Sequence, residues 1–167
     1  RTVPMSPSAL PYRPHNHDAC VAQALTEARA ICQQHNARLT PTRERVLELI
    51  WQSHKPLGAY DVLAVLAADG HNAAPATVYR ALDFLQQHGL VHRIASLNAF
   101  VGCTHTDKNH HGLFLICRCC GNVLELTAPG VSDAVQSAAA DEAFQPDNMT
   151  IEVSGICPGC KSDTAHD

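Results

Sequence analysis

Pro75-Ala76-Thr77-Val78-Tyr79-Arg80-Ala81-Leu82-Asp83-Phe84-Leu85 begins with a residue suited to the first turn of a helix, and Gly89 is placed to end it after His88. At about 100° per residue, Val78, Ala81, Leu82 and Leu85 share one face and Arg80 lies almost opposite them. The apolar face predicts a packed helix, and Arg80 is presented outward from it. Directly downstream, Leu90-Val91-His92-Arg93-Ile94, a turn around Ser96-Leu97-Asn98, and Ala99-Phe100-Val101 alternate as a hairpin does. Helices followed by a hairpin predict a winged helix-turn-helix.

Working upstream, a loop through Lys55, Pro56 and Gly58 leads into a helix from Ala59 to Asp69 that Gly70 stops. Before it, Thr40-Pro41 pairs a capping hydroxyl with a first-turn proline, and Val46, Leu47, Ile50 and Trp51 line the inner face of the helix that follows. A first helix, capped by Asp18, carries Val21, Ala24, Leu25, Ala28, Ile31 and Cys32 at three- and four-residue spacing and ends near Asn36. Cys20 and Cys32 read as small packing residues there. Ser6 to His17, rich in Pro, Ser and Asn, reads as a flexible arm, with Met5 as a natural start.

Working downstream, the pattern predicts a strand from Leu113 to Ile116, a strand from Val123 to Leu126, a helix from Val131 to Ala140 and a strand from Met149 to Ser154. Between and after them stand Cys117-Arg118-Cys119-Cys120 and Cys157-Pro158-Gly159-Cys160. Two such pairs hand four thiolates to one tetrahedral ion, with Cys117, Cys120, Cys157 and Cys160 as ligands and Cys119 as a competitor. Paired disulfides are the weaker reading, because thiols so close in sequence bridge poorly and nothing marks an oxidising compartment. The fold class is therefore α+β. An arm over 1–17, a winged-helix domain over 18–101, a metal-binding connection over 102–111, a C-terminal domain over 112–161 and a tail over 162–167 organise the chain.

A chain of 167 residues, 46% hydrophobic and 17% charged, has ordinary globular composition. No apolar run reaches bilayer length and no secretory signal precedes the first helix, so a soluble, cytoplasmic protein without a membrane partner is expected. The net charge of −4 argues at face value against a polyanion partner. Its distribution reverses that argument. Arg38, Arg43, Arg45, Lys55, Arg80 and Arg93 roughly balance the acids of residues 37–93, whereas nine acids face only Lys108, Arg118 and Lys161 in residues 94–167. The first half suits DNA; the second does not.

An outward arginine near a helix start suits bidentate contact with guanine, and Thr77 and Tyr79 flank it as further contacts. Tyr60, at the start of the preceding helix, is a companion candidate, with a half-buried core tyrosine as its alternative. Arg38, Arg43 and Lys55 are candidate phosphate contacts or ordinary surface charge. A second concentration of chemistry comprises His92, Cys103, His105, Asp107, His110, His111 and Glu125. One thiolate, two imidazoles and a carboxylate complete a zinc shell, and sulfur disfavours magnesium or calcium. Spacing alone does not choose among the histidines. No organic-cofactor motif appears, and no His-x-Glu with a downstream Pro-Cys-x-x-Cys supports a zinc deaminase.

Arg38-Leu39-Thr40-Pro41-Thr42-Arg43, Gly58-Ala59-Tyr60-Asp61, Ala76 to Leu82 and both cysteine pairs in order make the chain resemble the ferric uptake regulator family of bacterial metal-sensing repressors, most closely its zinc branch. The resemblance covers about Ala19 to Lys161. It implies that 112–161 is a dimerisation domain and that the protein is a non-enzymatic homodimer that binds a palindromic operator in double-stranded DNA and represses metal-uptake genes. It also implies two zinc ions per subunit, one structural and one regulatory, with His92, Cys103, His110 and Glu125 as the regulatory ligands. Iron- and peroxide-sensing members resemble a His-His-Asp-His run at this point; Asn109-His110-His111 with Cys103 favours zinc. His111 beside His110 is the competing ligand.

Overall fold

The computed structural model describes residues 16–71, 73–104, 106 and 111–164, without the side chains of 163 and 164. Residues 1–15 of the arm predicted over 1–17, together with His105, Asp107, His110 and the end of the tail, lie outside the described residues. Two compact units divide between residues 106 and 107.

In the N-terminal unit, α1 (His17–Gln34), α2 (Pro41–Trp51), α3 (Ala59–Ala68) and α4 (Pro75–Gln87) precede a hairpin of β1 (Val91–Ile94) and β2 (Ala99–Gly102). The cap of α1 is Asn16 rather than Asp18: the Asn16 side chain accepts from the amides of Asp18 and Ala19, so Asp18 falls in the first turn and the helix starts inside the expected arm. Thr40 caps α2 by accepting from the Arg43 amide, ahead of Pro41. Gly70 and Gly89 follow α3 and α4 at φ of +82° and +68°, the left-handed geometry in which glycine carries no Cβ penalty.

The core of this unit gathers Ala28 and Cys32 from α1, Val46, Leu47 and Ile50 from α2, Val62 and Leu66 from α3, and Val78, Leu82 and Leu85 from α4. All four apolar residues predicted on the inner face of α4 are buried. The hairpin pairs Val91 with Gly102 and Ile94 with Ala99, and its turn is a short 3-10 segment, Ala95–Leu97, closed by Asn98 at a φ of +46°. Leu57 exchanges both backbone hydrogen bonds with Phe100 at 2.9 Å, adding a one-residue third strand to the wing. Gly102 is required by packing, since a Cβ there would stand 2.2 Å from Trp51 Cε2.

In the C-terminal unit, β3 (Gly112–Cys117), β4 (Val123–Leu126), α5 (Pro129–Asp141), β5 (Thr150–Gly155) and α6 (Pro158–Thr164) follow in order. The sheet order is β4-β3-β5: β3 runs antiparallel to β4 and parallel to β5, with α5 as the crossover. Phe114 is the largest fully buried side chain. α5 starts two residues earlier than the periodicity predicts because Pro129 serves its first turn. Sequence reasoning missed α6, a seven-residue helix without an apolar stripe.

Candidate metal centre and nucleic-acid interface

The four predicted knuckle ligands converge. Cys117 ends β3 and Cys120 sits in the turn that Gly121 closes at a φ of +78°. Cys157 follows β5, and Cys160 lies in α6. Because β3 and β5 are parallel neighbours, with Cys117 paired to Gly155, both turns emerge at the same sheet end. All four Sγ atoms lie within 4.8 Å of one another, Cys117 to Cys160 at 3.9 Å and Cys120 to Cys157 at 3.8 Å. Zn–S bonds of about 2.3 Å at tetrahedral angles require S···S separations of about 3.8 Å. The donor set therefore fits zinc, and all four are free thiols rather than disulfides.

The local electrostatics act in the same direction. Backbone amides of Cys120 and Cys157 donate toward the Cys117 sulfur, the latter at 3.3 Å, and hold its thiol down to about 6. Cys160 is pushed the other way by its neighbouring sulfurs, Cys157 foremost and then Cys119. Four crowded sulfurs cannot all ionise without a cation among them. Cys119 is exposed, with its thiol beside that of Cys160.

Of the second predicted set, His92 lies on β1 opposite Val101, and Cys103 directly follows β2 with its amide donating to the Leu90 carbonyl at 3.0 Å. The wing thus brings an imidazole nitrogen and the Cys103 sulfur within 4.8 Å of each other. Cys103 is buried and His92 half-buried. Glu125 lies on β4 of the C-terminal unit, opposite Phe114, and at 4% exposure is the buried acidic residue among the described ones. Burying a carboxylate is costly unless a cation or hydrogen bonds compensate it. His111, the competitor for His110, has its Nε2 engaged with Gln136 of α5 at 3.1 Å.

Arg80 is exposed on α4, in none of the ion pairs of the described residues. The first turn of α4 bears no acidic side chain and no side-chain cap: Pro75 brings no amide, and the amides of Thr77 and Val78 donate to the Ala74 carbonyl at 2.9 and 3.3 Å. Tyr79 is 44% exposed, Thr77 half-buried, and Tyr60 on α3 71% exposed, which removes the core-tyrosine alternative. Arg43 is committed elsewhere: it donates to the Arg38 carbonyl at 2.6 Å and its guanidinium lies 3.7 Å from the Phe84 ring centroid. Its role is to pin α2 to α4, a contact that sequence spacing does not reveal. Arg29 pairs with Glu44, and Arg45 bridges Glu48 and Asp69 at 2.8 Å each, so Arg38, Lys55, Arg80 and Arg93 are the described cations of this unit outside those pairs and the Phe84 contact.

The profile of the ferric uptake regulator family matches residues 34–154. The zinc uptake regulation protein of Escherichia coli K12 is 41% identical over 139 residues, covering 83% of this chain and 81% of that protein. The peroxide operon regulator of Bacillus subtilis is 28% identical over 87% of this chain and 99% of its own. A solved zinc uptake regulator complexed with zinc and DNA superposes with a TM-score of 0.82 at 40% identity, over 87% of this chain and 97% of that one.

Proposed function

We propose, from the premise that the chain belongs to the ferric uptake regulator family, that it is a zinc-responsive repressor, a homodimer that binds operator DNA when zinc is available. It is a transcription regulator and not an enzyme. The observation that carries the reading is the 40% identity and close superposition with a regulator solved with zinc and DNA. The greater identity to a zinc regulator than to a peroxide regulator favours zinc over the iron- or peroxide-sensing alternative. No helix of the described residues is long and apolar enough to cross a membrane, and a DNA partner places the protein in the cytoplasm.

In this reading each subunit takes two zinc ions. Cys117, Cys120, Cys157 and Cys160 hold the structural one, supported by sulfur separations that match a tetrahedral shell. His92, Cys103, His110 and Glu125 hold the regulatory one, supported by the converging His92 and Cys103 and by the buried Glu125 carboxylate. Bound zinc there supplies a cross-link between side chains of the wing and side chains of the C-terminal half. His92 and Cys103 are fixed by the hairpin ladder, so any constraint on them passes to the reading unit. Two α4 helices must then meet half-sites about 34–36 Å apart or a multiple of it. Arg80 reads base edges, with Thr77, Tyr79 and Tyr60 as flanking contacts. Val131, Val135, Phe144 and Val153, exposed in the single chain, offer apolar surface for the second subunit.

The test is a mobility-shift titration on a palindromic operator drawn from a zinc-uptake promoter. Chelator should abolish binding, and graded zinc should restore it at lower concentration than iron or manganese. Restoration by iron at lower concentration than zinc would move the protein to the iron-sensing branch.

A further inference from the structure

Two histidines that neither ligand set uses meet within the N-terminal unit. His35 closes α1 as its C-cap, His88 closes α4 in the same way, and their Nδ1 atoms stand 3.1 Å apart. Both are half-buried. Phe84 braces His88 with ring centroids 4.4 Å apart, so the pair is held rather than freely rotating. We propose that His35 and His88 form a binding site for a divalent transition-metal ion of the imidazole-preferring class, separate from the cysteine knuckle and from the set around Cys103.

The geometry is that of a chelate. An ion about 2.0–2.1 Å from each nitrogen would subtend an N–M–N angle of roughly 100°, between the square and tetrahedral values. With no ion, the same approach is an N–H···N hydrogen bond, in which one ring carries its proton on Nδ1. Moving that proton to Nε2 frees both Nδ1 lone pairs at one point without changing the charge of either ring. Burial, then the neighbouring His35 and Arg43, hold His88 below the usual histidine value, so its lone pair is available at neutral pH.

Two further features set the strength of the site. It lies at the C-terminal ends of two helices, where the dipoles favour a cation. Arg43, held over Phe84 3.7 Å from the ring centroid, opposes a second positive charge nearby. With two protein ligands and water in the remaining positions, the ion binds more weakly than at either four-ligand site. Its effect is to fasten the end of α1 to the end of α4, the helix proposed to read DNA.

The test uses full-length, zinc-loaded protein titrated with further zinc against a chromophoric chelator, beside His35→Gln, His88→Gln and the double variant. Wild type should take up one more zinc per subunit than each variant, while zinc on other surface histidines cancels in the difference. At that zinc level the Nδ1 resonances of His35 and His88 should shift together in nitrogen-edited NMR. Equal uptake by wild type and the double variant overturns the proposal, as does uptake that leaves both Nδ1 resonances unmoved. If a variant loses its thermal transition, the NMR measurement on wild type decides alone.

Discussion

The N-terminal unit closes a core of its own, with fully buried side chains from each of α1 to α4, whereas the C-terminal unit leaves α5 without a single buried residue. The first unit is stabilised by burial. In the second, a three-stranded sheet and one crossover helix cover little surface, and on the proposed reading the deficit is met by a thiolate clip at the sheet end and by apolar side chains left for another subunit. One chain thus contains two solutions to marginal stability, and each predicts a different weakness.

The largest expected effect is at the clip. A structural zinc site contributes on the order of 10–16 kcal/mol to folding, so Cys117→Ser should release the knuckle metal and leave monomers in sedimentation, while the helical circular dichroism of α1–α4 persists. A dimer that survives without the metal would break the contrast between the units. Next, Leu82→Ala, at a position with no exposure in the N-terminal core, should cost about 2–5 kcal/mol in thermal or denaturant unfolding of that unit. Knuckle zinc content, measured by metal analysis, should not change.

Arg80→Ala should weaken operator binding by about 1–3 kcal/mol with dimer and metal intact. Equal loss on operator and random DNA would assign Arg80 to phosphate rather than to bases. The smallest effect is expected at the surface. Arg45 holds the Asp69 carboxyl below its usual range through their hydrogen bond. The pair therefore contributes above the ordinary aspartate value, and the contribution is lost as pH falls through the lowered one. Asp69→Asn should be slightly less stable than wild type at neutral pH, and the two should converge in acid.

What could be read from the sequence follows the same division. Val78, Ala81, Leu82 and Leu85 announce a buried helix face because period and chemistry agree, and Thr40-Pro41 announces a helix start because capping is local. Two Cys-x-x-Cys pairs mark a metal site because ligand spacing is set by the metal. Features decided by tertiary packing were not legible: Arg43 reads as a surface cation until Phe84 and the Arg38 carbonyl stand around it. The same holds for His35 and His88, fifty-three residues apart, whose meeting depends on how α1 and α4 end. Asn16 and Asp18 are both competent caps, and only the backbone geometry selects between them.

The central claim is that zinc acts on DNA binding through Cys103 and its companions, and operator affinity of Cys103→Ser across a zinc titration tests it most directly. The account predicts a folded dimer that keeps its knuckle zinc but whose weak operator binding no longer rises with zinc. Operator binding by Cys103→Ser with the zinc dependence of wild type would contradict it.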